Sequence, residues 1–358
     1  METTAGLAER VMAAARTAEK SETSEDWDVY GKLVWDASAE QDGEPALRCG
    51  LELLVSADPL ERSAGCDLLR DASNRYEAVR AEAATALVEL AGREREPCVL
   101  QSLVQGLAMT YDPRAVPVMV DLSRHHDAEV RLQVASSINF VPTGLPDGPD
   151  VRALIRLTRD NDPEVRNWST FSLGFQLETD SAAIREALWE RTTDEYGEAR
   201  EEGIRGLARR HDPRSVPLVA ELLHSPDGAH CFTFDVAEIL GVPELLHYLD
   251  EYEPDSYGVA RATQACDPVL RARTESDAWE IVLALHRLRP ELDAAVHSPR
   301  YESVLSLRLT VGVAAVAGYD AASLLARAGG DATRAAELVV ADLAVSEPPA
   351  GGPSGSSG

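Results

Sequence analysis

Aromatic side chains make up only 5% of this 358-residue chain, and lysine occurs only as Lys20 and Lys32. Basic residues are outnumbered 34 to 61 by acidic ones, for a formal net charge of −27. Such a field repels a nucleic-acid duplex unless a local basic stripe overcomes it, so no nucleic-acid partner is expected. Long apolar runs are missing too. The longest uncharged one, Val311 to Tyr319, falls far short of the roughly 20 residues that cross a bilayer. Met1 to Lys20 has no continuous apolar stretch and carries Glu2, Glu9 and Glu19, unlike a secretory leader. A cytoplasmic protein without a membrane partner is therefore expected. The five cysteines (Cys49, Cys66, Cys98, Cys231, Cys266) are odd in number and widely spaced, which favours buried thiols over disulfides or a zinc site. A hydrophobic content of 44% excludes a disordered chain.

Catalytic signatures are also absent. There is no phosphate loop ending in Gly-Lys-Ser or Gly-Lys-Thr, no His-Glu-x-x-His and no Cys-x-x-Cys. Asp160-Asn161-Asp162-Pro163-Glu164 begins like a calcium loop but places Val165 where the sharp turn needs glycine, and Asp162-Pro163 reads as a helix cap. His125-His126 reads as solvated inter-helix surface. No catalytic residue, metal or cofactor is expected.

What the chain has is repetition. Ala128-Glu129-Val130-Arg131, Pro163-Glu164-Val165-Arg166 and Gly197-Glu198-Ala199-Arg200 recur with their arginines 35 and 34 residues apart. A second series interleaves: Asp112-Pro113-Arg114-Ala115-Val116-Pro117, a looser Asp150-Val151-Arg152-Ala153-Leu154, Asp180-Ser181-Ala182-Ala183-Ile184 and Asp212-Pro213-Arg214-Ser215-Val216-Pro217. An Asp-Pro pair is a helix start, with the carboxylate capping orphan amides and the proline at a position whose missing N–H costs nothing. Two starts per period predict a helical hairpin per repeat. Val116, Met119 and Leu122, repeated as Val216, Val219 and Leu222, form a stripe that one hairpin could not bury, so the hairpins must stack. Small residues such as Ala135, Ser136, Ser169, Thr170 and Gly203 let neighbouring first helices approach closely. Arg131, Arg166 and Arg200 are expected to pair with an aspartate of an adjacent turn, forming a ladder between repeats.

These residues resemble the HEAT repeats of the short bacterial type first described in phycobilin lyases. The matching text is the Glu-Val-Arg first helix, as at Glu129–Ile138 and Glu198–Leu207, with the Asp-Pro-Arg-x-Val-Pro start at Asp112–Pro117 and Asp212–Pro217. The likeness runs from about Asp58 to Leu249 and fades beyond. It implies an all-α fold, an α-solenoid of stacked hairpins with helical caps, but functions within the family vary widely. The expected division is an acidic N-terminal cap over 1–43 whose Trp27 and Trp35 plug the stack, a solenoid over 44–275, a C-terminal helical segment over 276–345 and a disordered tail over 346–358. In the C-terminal segment, Gly318-Tyr319-Asp320 and Gly330-Asp331-Ala332 with Leu324 and Leu338 faintly resemble a three-helix ubiquitin-associated-type fold, against which a capping bundle is weighed.

The candidate site is a surface. If second helices line the concave side, Arg152, Arg156 and Arg159 share one helix face with no carboxylate among them, a positive island in an acidic chain. Trp189 stands where neighbouring repeats carry charge (Asp121, Arg159, Glu221) and is either an anchor for a partner or packed under a neighbour. With Arg185 and Glu221 these residues predict a non-catalytic scaffold holding an acidic peptide or protein surface; the alternative is that the arginines only balance Asp147, Asp150 and Asp160. The resemblance also implies a second possibility, an enzyme acting in the groove. A bilin lyase would be one form; a DNA glycosylase, needing Trp168, Trp189 and Asp194 to converge, would be another.

Overall fold

The computed structural model describes residues 3–21, 24–39, 41–225, 228–254, 256–297, 306–311 and 314–346. The expected tail, apart from Ser346, lies outside them. The chain divides once by packing, into Met1–Leu207 and Ala208–Gly358. The expected boundary at 275/276 falls inside a continuous helix, Pro268–Leu288, which is launched by Asp267 accepting from the Val269 and Leu270 amides with proline behind it.

The first unit contains α1 (Thr4–Glu19), α2 (Ser24–Ser38), α3 (Glu44–Leu53), α4 (Pro59–Arg75), α5 (Glu77–Ala91), α6 (Pro97–Thr110), α7 (Ala115–Leu122), α8 (Ala128–Ser137), α9 (Pro149–Leu157), α10 (Pro163–Phe171) and α11 (Ala182–Arg191), and α12 (Gly197–Arg209) begins within it. Their contacts sort them into two layers. α2, α4, α6, α8 and α10 pack each on the next in one, and α3, α5, α7, α9 and α11 do so in the other. Hairpins such as α3–α4, α5–α6 and α7–α8 tie the layers together, as the two interleaved sequence series require.

Local chemistry explains the starts. Asp58, Asp127 and Asp162 cap α4, α8 and α10 by accepting backbone N–H groups at 2.9–3.3 Å, and Pro59 and Pro163 occupy the first turn. Asp112 instead binds the amide of Arg114 in a turn that precedes α7. The Arg114 side chain then reaches Thr85 Oγ1 at 3.0 Å and the Ala81 carbonyl at 3.1 Å, fastening α7 to α5. The core between the layers is aliphatic, with Leu69, Leu87, Leu103, Met119, Ile138 and Leu154 fully buried. Val116 and Met119 are buried there as the stripe predicts.

Two details of the cap differ from expectation. Trp27 and Trp35 do not plug the stack, for both remain about half exposed. Trp35 lies under the Arg75 guanidinium, 3.5 Å from its ring centroid, while Val11, Met12, Ala15 and Val34 bury the end instead. The thiols also divide: Cys49, Cys66 and Cys266 are buried, whereas Cys98 and Cys231, in the first turns of their helices, are exposed.

The second unit contains α13 (Ser215–Leu223), α14 (Cys231–Leu240), α15 (Leu246–Leu249), α16 (Val259–Cys266), α17 (Pro268–Leu288), β1 (Asp293–His297), β2 (Ser306–Val311), β3 (Ala314–Asp320), α18 (Ala321–Arg327) and α19 (Ala332–Ser346). The C-terminal segment is thus not wholly helical. An antiparallel sheet in the order β1-β2-β3 occupies its middle, pairing Leu307 with Val296 and Tyr319, and Leu309 with Ala294 and Ala317. Ser306-Leu307-Arg308-Leu309-Thr310-Val311 alternates with period two, and its buried leucines pack with Ile281 and Leu285 of α17 and Val339 of α19. Gly318-Tyr319 lies on β3, and two helices follow, so the ubiquitin-associated-type likeness does not hold.

Candidate functional site

The expected arginine face is on α9 and α11, neighbours in one layer. Its charge is mostly neutralised, by carboxylates that sequence spacing did not select. Arg159 grips Glu190 through two bonds of 2.6 and 2.8 Å, and this guanidinium holds Glu190 below its ordinary pKa. Arg185 binds Asp180 at 2.6 Å, and Arg152 donates to the Asp147 carbonyl. Asp150 and Asp160 are engaged elsewhere, with Thr143 and Arg131 respectively. Arg156 donates to Ser123 Oγ, and burial together with nearby Arg124 lowers its pKa. Trp189 is half-buried and packs against the core of the first unit. Glu221 is an exposed residue of α13 in the second unit.

The expected ladder is present at Arg131 and Arg166, where it ties neighbouring repeats together. Arg131 makes a bidentate pair with Asp160 (2.8 and 2.8 Å), and Arg166 makes the same pair with Asp194 (2.9 and 2.9 Å). Arg62 does likewise with Glu94 at 2.6 and 3.2 Å. Arg200 donates to the Asp194 carbonyl. Burial works against ionising Glu94, Asp160 and Asp194, yet the guanidinium and backbone N–H donors outweigh it and hold all three below the usual carboxylate range. With Asp194 also bound to Arg191, its carboxylate is locked in place, and Trp168 and Trp189 stand on different layers. The Asp194 carboxylate that the glycosylase-like reading needs is thus committed to Arg166 and Arg191.

Each ladder arginine lies four residues after its helix cap, so equivalent positions on the first layer can be compared. One, two, five and nine residues beyond it stand Ser63, Ala64, Asp67 and Asp71 on α4. The same positions carry Leu132, Gln133, Ser136 and Phe140 from α8 onward, and Asn167, Trp168, Phe171 and Phe175 from α10 onward. The same positions that hold small and acidic residues at one end hold aromatics at the other. Trp168 meets Phe171 edge-on at 5.8 Å between centroids, and Phe171 stacks on Phe175 at 5.4 Å. Trp168 and Phe175 are 40% and 41% exposed, an aromatic ridge on an open face.

Between these ends runs a polar chain. Tyr30 of α2 donates to Asp67 at 2.8 Å, and Arg70 binds Asp67, Asp71 and Gln105. Gln105 donates to Gln133, which donates to Ser137 at 2.9 Å. Burial raises the Asp67 pKa despite Arg70, and burial and Asp67 together push the Tyr30 phenol up. Where α4 presents Ser63 and Ala64, the layer is hollow. A cavity of about 470 Å³ lies between α1, α2 and α6 over α4. A smaller one of about 210 Å³ opens beside Arg70, Asn74 and Gln105. Sequence reasoning looked to the second helices and did not consider this face. The available signal was that the second position after the repeated arginine varies from Ala64 through Gln133 to Trp168.

Residues 84–174 match the family pattern of HEAT repeats. That stretch carries HEAT repeats. Protein YibA of Escherichia coli K12 is 24% identical over 210 residues, 58% of this chain and 74% of that protein. The X-ray structure of YibA superposes with a TM-score of 0.55 at 20% identity, over 74% of this HEAT-repeat chain and 97% of the other, a likeness of fold. The CpcE–CpcF complex of phycocyanin lyase from Nostoc sp. PCC7120 aligns at 13% identity over 61% and 95% of the chains, with a TM-score of only 0.38. Among the described residues no His, Cys, Asp or Glu group could hold a metal ion, and no helix is long and apolar enough to cross a membrane.

Proposed function

We propose that this HEAT-repeat chain is a non-catalytic protein-interaction scaffold and that its working face is the outer side of α4, α6, α8 and α10. One observation carries the reading: exposed Trp168 and Phe175, bridged by the half-buried Phe171, form an aromatic ridge at positions filled by polar or small residues on α4. Stacked rings at an open surface supply rigid apolar area at little entropic cost, the character of an interface anchor. The opposite layer supports partner binding less well, because Arg159 and Arg185 already hold carboxylates and Trp189 is packed. The expected preference for an acidic partner rested on the arginines of that layer and is not part of this reading.

The test is differential capture from lysate with the wild type, Trp168→Ala/Phe171→Ala and Arg156→Glu/Arg159→Glu side by side. A partner retained by the wild type and the arginine variant but lost from the aromatic variant supports the reading. A partner lost only from the arginine variant returns the site to α9 and α11.

A further inference from the structure

We propose that the cavity between α1, α2, α4 and α6 is a binding pocket for an organic cation, an alkylammonium or guanidinium group. The proposal goes beyond the scaffold reading and stands without it. The hollow exists because α4 places Ser63 and Ala64 where α8 places Leu132 and Gln133, so α2 and α6 flank a floor with little side chain on it. Its volume, about 470 Å³, falls in the range of pockets that enclose small organic ligands.

The lining selects the charge of the occupant. Glu19, Asp58 and Asp67 contribute carboxylates, Trp27 and Tyr30 contribute rings, and Gln101, Ser102 and Gln105 contribute polar side chains, with no arginine, lysine or histidine among the lining residues. The two guanidiniums paired with Asp58 and Asp67 are each shared with a second carboxylate: Arg70 with Asp71, and Arg16 with Glu61. Three carboxylates thus line the cavity and no basic side chain does, so an incoming cation meets charge of opposite sign. Of the three that line the cavity, Asp67 has its side chain 13% exposed and fixed by the Tyr30 hydroxyl at 2.8 Å. A cation entering past Trp27, whose indole meets Tyr30 edge-on at 5.9 Å, would gain ring and carboxylate contact in one desolvated place. A neutral ligand of the same shape gains only the apolar part, and an anion meets like charge.

The experiment is a fluorescence and calorimetric titration of the full chain with n-butylammonium and agmatine, using n-butanol and butyrate as neutral and anionic isosteres. Saturable binding of the two cations, at least tenfold tighter than either isostere, is expected. Asp67→Asn should weaken it at least tenfold. Because Asp67 belongs to a hydrogen-bond chain, Ser63→Leu is the second variant: it installs the residue α8 carries at the equivalent position, keeps every carboxylate and should abolish binding. Equal affinity for n-butanol, or unchanged binding by Ser63→Leu, overturns the proposal. A lysine peptide and its norleucine analogue distinguish the source. Displacement of n-butylammonium by the lysine peptide alone assigns a side chain and displacement by neither assigns a free amine, both within the proposal. Trp168→Ala should leave amine binding intact, which separates failure of this pocket from failure of the scaffold face.

Discussion

The bidentate pairs Arg131–Asp160 and Arg166–Asp194 do two jobs at single residues: each closes a turn within its repeat and fastens that repeat to the next. In both, the arginine also holds the carbonyls of the preceding loop, Arg131 those of His125 and His126, Arg166 those of Asp160 and Asn161. Removing Asp160 or Asp194 leaves a largely buried guanidinium without its carboxylate, so Asp160→Ala and Asp194→Ala should each cost up to about 3–5 kcal/mol by urea unfolding. Replacing both members of a pair with apolar residues should cost less. The pH dependence has a definite sign. Glu94, Asp160 and Asp194 have folded pKa values below their unfolded ones, so their stabilisation is present above the ordinary carboxylate range, around pH 4, and is lost as pH falls through the folded values. Asp67, raised by burial, acts oppositely: its contribution is full at low pH and declines as pH rises through its folded pKa. Urea midpoints should therefore drop in acid for the wild type, and drop less for Asp194→Ala, whose ladder carboxylate is already gone.

At the scale of helices, close approach sets the geometry. A Cβ on Gly206 of α12 would lie 2.9 Å from Gly174 Cα, in the single turn of π-helix (Ser172–Gln176) that follows α10. Gly206→Ala should therefore cost about 1–3 kcal/mol despite alanine's better helix propensity. Gly197→Ala, whose nearest neighbour would be Arg200 at 3.7 Å, should stay within about 0.5 kcal/mol. Thermal unfolding of the two variants checks the contrast. The helices and their pairing were legible in the sequence because Asp-Pro starts and the 3.6-residue stripe are local signals, and Asp162 caps α10 as its neighbours imply. The ladder was legible for the same reason, since Arg131 and Arg166 recur at one period. The C-terminal sheet was not, because alanine-rich text such as Ala314-Ala315-Val316-Ala317 suits a helix as well as a strand. Only the short alternation around Leu307 and Leu309 pointed to a sheet. The pairing of the α9 and α11 arginines was legible only in part: Asp180 lies five residues from Arg185, but Glu190 stands 31 residues from Arg159 and meets it only when helices are packed.

At the scale of the molecule, a net charge of −27 determines which partners approach quickly. Charge of one sign raises encounter rates with oppositely charged partners and is screened over roughly 8–10 Å at physiological salt. The layer face adds a distance. From the hollow over α4 to the ridge on α10 there are three helix spacings, α4 to α6, α6 to α8 and α8 to α10, each about 8–10 Å. The span is thus about 25–30 Å, which an extended chain crosses in about eight residues. A partner segment with a basic residue at one end and an apolar one about eight positions away would fill both features at once. Peptides carrying that pair at separations of four, eight and twelve residues should bind best near eight, and Trp168→Ala and Ser63→Leu should each remove one end of the preference. Raising the salt should slow association strongly while dissociation changes little, since the long-range field acts on encounter and the ring contacts act on residence. Stopped-flow binding at two ionic strengths separates the two. Equal affinity at all three separations would mean that the hollow and the ridge serve different ligands.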